Sequence, residues 1–237
     1  MGDRFQTTQW SMVIRARDAS PSASHAALSR LCEAYWEPVY GFIRRSTRDG
    51  EAAKDLTQGF FVRVIEEGFL RNVSPEEGRF RSFVLGAVRH FMSDERDRER
   101  AIKRGGGTFQ ISFDGVEEVE QRRIEPVADE TPELAFERRW ARTVLDRAMK
   151  RLETAAGADG KKAEFDAMRP YLSDSDPATG YGQLADRLGS TEGAVKVAMH
   201  RLRRRFGACV RDEIAETVAD SAEVDREIRY LMSIVAP

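Results

Sequence analysis

The chain has 237 residues, 41% of them hydrophobic and 33% charged, with a formal net charge of -2. A charged share that high suits slim helical modules with much solvated surface better than one thick enzyme core, and no apolar run approaches the roughly eighteen residues that a membrane span needs. Met1 to Trp10 lack the charged-then-apolar order of a signal peptide, and Cys32 and Cys209 lie far apart in helical stretches, which predicts reduced, buried thiols in a cytoplasmic protein.

In chain order, an N-terminal arm (1–23) precedes an amphipathic helix from Ser24 to Thr47. Its apolar residues Leu28, Leu31, Tyr35, Trp36, Val39, Phe42 and Ile43 recur at intervals of three and four, and Pro38 is expected to bend it. Asp49-Gly50 reads as a turn, and a second helix follows from Glu51 to Gly68 with Leu56, Phe60, Phe61, Val64 and Ile65 inward. A third, Arg79 to Arg104, carries Phe80, Phe83, Val84, Ala87, Val88 and Phe91 on one face and then becomes almost wholly charged. Gly105 to Gly107 stop it, and the polar stretch to Thr131-Pro132 is expected to be a linker or docking loop, with strand-like alternation only from Phe109 to Phe113. Helical spacing resumes at Pro132 (Leu134, Phe136, Trp140, Val144, Leu152), breaks at Ala156 to Gly160, and returns around Phe165 to Leu172.

The most telling segment comes next. Tyr181 to Leu188 reads as a helix, Gly189 as a tight turn, and the residues after Ser190 or Thr191 as a long second helix, which is the helix-turn-helix arrangement. Thr191 is suited to cap that second helix, and Glu192 complements its dipole. With Val195, Ala198, Met199, Leu202 and Phe206 inward, Lys196, Val197, His200, Arg201 and Arg204 face outward. A cationic row without intervening acids from Ala194 to Arg211 is what a phosphate backbone attracts, and the first turns of such a helix can reach base edges.

The stretch from Tyr181 to Arg205 resembles the fourth conserved region of sigma-70 factors of the extracytoplasmic-function group, in particular its Glu192-Gly-Ala-Val-Lys196 opening and arginine-rich close. Asp55-Leu-Thr-Gln-Gly-Phe-Phe-Val-Arg63 resembles the family's second-region helix that docks on the polymerase clamp, and Phe80 to Phe91 resembles its helix for minus-10 recognition and strand opening. The resemblance implies an all-α fold of two small helical domains, a three-to-four-helix N-terminal bundle (24–104) and a C-terminal helix-turn-helix domain (132–211), joined by a flexible linker (105–131). It implies a sigma factor that catalyses nothing and needs no cofactor or metal. Its partners would be core RNA polymerase, through the clamp and flap regions, and promoter DNA, with an anti-sigma factor or a Ser/Thr kinase as candidate regulators.

By the same resemblance Thr191, Lys196, Val197, His200, Arg201 and Arg204 would approach the minus-35 element, Arg89, His90, Arg96, Arg98 and Arg100 the minus-10 DNA, and Asp55, Leu56, Gln58 and Phe61 the polymerase. The acids Asp94, Glu95, Asp97 and Glu99 offer the basic residues of the third helix a plainer role as intrahelical ion pairs. Lys54 and Gly59 stand where the family more often has carboxylates, and a phosphate on Thr57 would restore the missing charge. The acidic extension from Asp212 to Pro237 keeps helical spacing and is expected either to lengthen the C-terminal domain or to cover its DNA-binding surface. The competing function is a helix-turn-helix repressor or activator that acts without polymerase. Neither a phosphate-binding glycine loop nor a nucleophile-base pair supports an enzyme.

Overall fold

The computed structural model describes residues 21–47, 49–66, 79–105, 130–172, 180–218 and 221–236, and these are all-α, with no strand among them. The helices are α1 (Pro21–Ser46), α2 (Gly50–Glu66), α3 (Phe80–Gly105), α4 (Pro132–Ala158), α5 (Lys162–Met168), α6 (Tyr181–Leu188), α7 (Glu192–Ala215) and α8 (Val224–Val235), with short 3-10 turns at Arg169–Leu172 and Ser221–Glu223. The N-terminal arm before residue 21, most of the expected linker and its strand-like piece Phe109 to Phe113 lie outside the described residues. The chain divides into two compact units, one formed by residues up to Thr143 together with those from Ala215 onward, the other by Val144–Ile214.

In the first unit the apolar stripes read from the sequence meet. Tyr35, Val39 and Ile43 of α1 are buried with Phe60 and Val64 of α2 and Phe80, Val84, Val88 and Phe91 of α3. Tyr35 packs edge-on against Phe80 at 5.4 Å, and Phe60 against Phe91 at 5.7 Å, in the arrangement that aromatic quadrupoles favour. Asp49 starts α2, its carboxylate accepting from the backbone N–H groups of Glu51 and Ala52 at 3.2 Å each. These are donors that a helix leaves unsatisfied at its N-terminus. Pro38 does not end α1, which runs through it.

The first turns of α4 also belong to this unit. Phe136 and Trp140 are fully buried, Thr131 caps the helix by accepting from the Leu134 N–H at 3.2 Å, and Arg139 pairs with Glu37 of α1 at 3.3 Å. The acidic extension was expected to lengthen or cover the helix-turn-helix domain; instead its helix α8 is part of the first unit. Val224 and Leu231 are buried there, and Thr217 accepts from the Phe80 N–H at 3.4 Å. The physical reason is charge. Glu223, the residue just before α8, and Glu227 within it are received by Arg79 and Arg81 at the start of α3.

The second unit packs α5, α6 and α7 with the end of α4 around Leu152, Phe165, Met168, Leu184, Val195, Met199 and Leu202. Here α4 continues to Ala158, past the break expected at Ala156, and the turn falls at Asp159–Gly160, where Gly160 takes φ 69°. Gly157 lies inside the helix, because one glycine costs only about 1 kcal/mol there and Leu152 and Ala156 are held in the core.

Candidate nucleic-acid interface

The helix-turn-helix is built as the sequence predicts. α6 buries Tyr181, Leu184 and Ala185, positions one turn apart on one face. Gly189 ends it at φ 59°, ψ 38°, a left-handed conformation that is cheap only without a Cβ. The Ser190 N–H returns to the Ala185 carbonyl at 2.9 Å, closing the turn. Thr191 then opens α7, its hydroxyl accepting from the Ala194 N–H at 3.3 Å. Val195, Met199 and Leu202 anchor the helix inward.

Lys196, Val197, His200, Arg201 and Arg204 all come out exposed, Val197 at 52%. Positions 197, 201 and 204 line one stripe of α7, with 196 and 200 beside it. Lys196 already pairs with Glu192 at 2.7 Å, an exposed contact that a phosphate can replace at little cost. No ion pair among the described residues engages Arg201 or Arg204. The surface thus offers cations, one imidazole and one apolar side chain, which suits backbone contact and base-edge contact together.

Arg203 was read only as one more member of the cationic row, and the structure gives it a different task. It donates to the Tyr181 hydroxyl at 3.0 Å and to the Tyr171 carbonyl at 2.9 Å, fastening α7 to α6 and to the 3-10 turn. Gly180 makes room for the Tyr171 ring, which a Cβ would strike. The signal was one residue of phase, since position 203 follows Leu202 on the flank of the buried stripe rather than on the outward one. If α7 binds duplex DNA, Arg204→Ala should weaken binding and reduce the slope of log affinity against log salt by about 1. Arg203→Ala should weaken binding with the slope unchanged and the melting temperature lowered. Equal slopes for both variants would place Arg204 away from phosphate.

On α3, Arg89, His90 and Arg96 are exposed. Arg89 pairs with Glu133 of α4 at 2.9 Å, and the Glu133 carboxyl is held below its ordinary range by its own helix-start backbone N–H and by Arg89. His90 lies 3.8 Å from Asp94, which Arg63 also meets at 2.8 Å. Arg98 pairs with Glu95, and Arg100 with Asp97 at 3.4 Å. These are the intrahelical pairs that the interleaved acids suggested, weak enough to exchange for phosphate.

On α2 the expected polymerase-facing set is divided. Asp55 is exposed, and Leu56 and Gln58 are partly so, but Phe61 is 6% exposed and stacks on Trp36 at 5.7 Å. Phe61 is therefore core. Thr57 is also corrected: it is fully buried, its hydroxyl donating to the Ala53 carbonyl at 2.7 Å, so a kinase reaches it only when α2 opens locally. Ile65, read as inward, is 47% exposed, and Val62 is 49% exposed. With Asp55 and Gln58 they form a mixed apolar and polar face that the pattern of inward residues did not reveal.

Among the described residues no cluster of three or more His, Cys, Asp or Glu side chains is placed to hold a metal ion, and no helix is long and apolar enough to cross a membrane. Both cysteines are free thiols and half-buried rather than buried, with burial pushing the Cys32 thiol up.

Residues 31–102, from within α1 through α3, match the family model of sigma-70 region 2. Comparison with curated proteins and with solved structures finds no significant match.

Proposed function

We propose that this chain is a sigma factor of the extracytoplasmic-function kind, which binds core RNA polymerase and directs initiation at promoters with minus-10 and minus-35 elements. The observation that carries the reading is the order of two modules in one chain. A sigma-70 region 2 match at 31–102 is followed by a helix-turn-helix at Tyr181–Ala215. In this reading α3 meets minus-10 DNA through Arg89, His90 and Arg96, with Arg98 and Arg100 exchanging their acids for phosphate. The α7 face of Lys196, Val197, His200, Arg201 and Arg204 meets the minus-35 element, with Thr191 at the cap close to the same groove. Each module alone is small, and polymerase supplies affinity by holding both on one DNA.

The α2 face of Asp55, Gln58, Val62 and Ile65 is the proposed polymerase contact. Val62 and Ile65 are large apolar residues on a surface where burial by a partner would be favourable. Asp55→Lys and Val62→Glu should each lower core polymerase affinity at least tenfold in a competition assay while leaving the melting temperature within a few degrees of the parent. Unchanged affinity in both would move the contact elsewhere. Tight binding of duplex DNA as a dimer on symmetric half-sites, with no polymerase binding, would favour the repressor instead.

A further inference from the structure

Val197 stands apart on the outward face of α7. It is 52% exposed, the one large apolar side chain left exposed among the described residues of the second unit. Lone exposed valines are ordinary on protein surfaces, but this one lies in the second turn of the helix that follows the tight turn at Gly189. Its neighbours are cations and an imidazole: Lys196 beside it, His200 and Arg201 one turn on, all exposed. Lys196 is drawn toward Glu192 at 2.7 Å. A helical side chain leans toward the N-terminus, over the residue one turn earlier. That place is held by Gly193, where an added Cβ would meet nothing within 4 Å. The valine methyls are therefore uncovered on that side.

The fold gives no reason for a valine here. Valine is a poorer helix former than alanine, and Val197 lies outside the buried core of its unit. At a base edge, however, its properties fit one target. With two methyls on Cβ it holds one χ1 rotamer in a helix, so little freedom is lost on contact. It neither donates nor accepts a hydrogen bond, and a guanine, adenine or cytosine edge placed against it would lose its bonds to water without replacement. Thymine alone presents an apolar group in the major groove, the C5 methyl.

We propose that Val197 is a specificity-determining residue that reads the C5 methyl of one thymine in the duplex element bound by α7. This rests on the reading of α7 as the minus-35 contact. The test uses the full chain with core polymerase and a random promoter library, run for the parent and for Val197→Ala, which keeps the fold because the side chain is exposed. Parent promoters should share a thymine at one fixed position of the upstream element, and Val197→Ala promoters should be indifferent there. On a promoter chosen with the parent, replacing that thymine by deoxyuridine removes the methyl and keeps every hydrogen-bonding group. The parent should lose about three- to fivefold in affinity, roughly the contribution of one buried methyl. Val197→Ala should show the same loss on the thymine promoter and no further loss on deoxyuridine, the mark of a coupled pair. An upstream element without a fixed thymine, or a deoxyuridine penalty that is absent from the parent or shared in full by Val197→Ala, overturns the methyl contact and leaves the sigma reading standing. A parent that neither binds core polymerase nor directs new start sites overturns both.

Discussion

Replacing Arg81 with Met should lower the stability of the first unit by about 3–5 kcal/mol, the loss typical of a buried ion network that loses one partner. The side chain is 4% exposed, and its removal leaves Glu227, 1% exposed, and Glu137 without their main cation. The deficit should depend on pH with a definite sign. Burial raises the Glu137 carboxyl above its ordinary value even with Arg81 opposing that shift, and without Arg81 it rises further. A carboxyl whose folded pKa is raised binds its proton more readily in the folded state, so it disfavours folding above the folded pKa and less so as pH falls toward the unfolded value. Urea unfolding of Arg81→Met should therefore show a smaller deficit near pH 5 than near pH 7. Adding Glu137→Leu and Glu227→Leu should recover most of the lost stability, because an apolar cluster carries no desolvation cost. A deficit that grows on acidification would contradict this account of the cluster.

Met199→Ala should destabilise the second unit by about 2–5 kcal/mol, the range for large-to-small changes at sites that cannot collapse. Met199 is fully buried among Leu152, Phe165, Leu184 and Val195, and it anchors the face of α7 opposite His200 and Arg201. Its loss should reduce DNA binding in proportion to the unfolded fraction, with the salt slope of the folded fraction unchanged. Cooling the variant should restore binding. Binding that stays weak at a temperature where circular dichroism shows α7 folded would mean that Met199 shapes the DNA-facing surface directly.

The helices were legible because their apolar residues repeat at helical spacing, and because Asp49, Gly189 and Thr191 are residues whose chemistry starts or stops a helix. The outward face of α7 followed from the same phase, since Val195, Met199 and Leu202 fix which side is in. What periodicity could not give was the partner of each charged side chain. Arg203 and Arg204 differ by one position, yet one is tied to Tyr181 and Tyr171 and the other is exposed. Thr57 and Phe61 lie on a helix whose buried stripe is wide, so their burial depended on α1 packing across them, a tertiary fact. The docking of α8 was equally hidden, because Arg81 and Glu227 are 146 positions apart and nothing local marks them as a pair.

The central claim is tested most directly by run-off transcription with purified core polymerase on a random promoter library, with and without this protein. The account predicts new start sites that depend on the protein and share two sequence elements at fixed spacing. Duplex DNA binding by the protein alone, with start sites identical in both reactions, would contradict it.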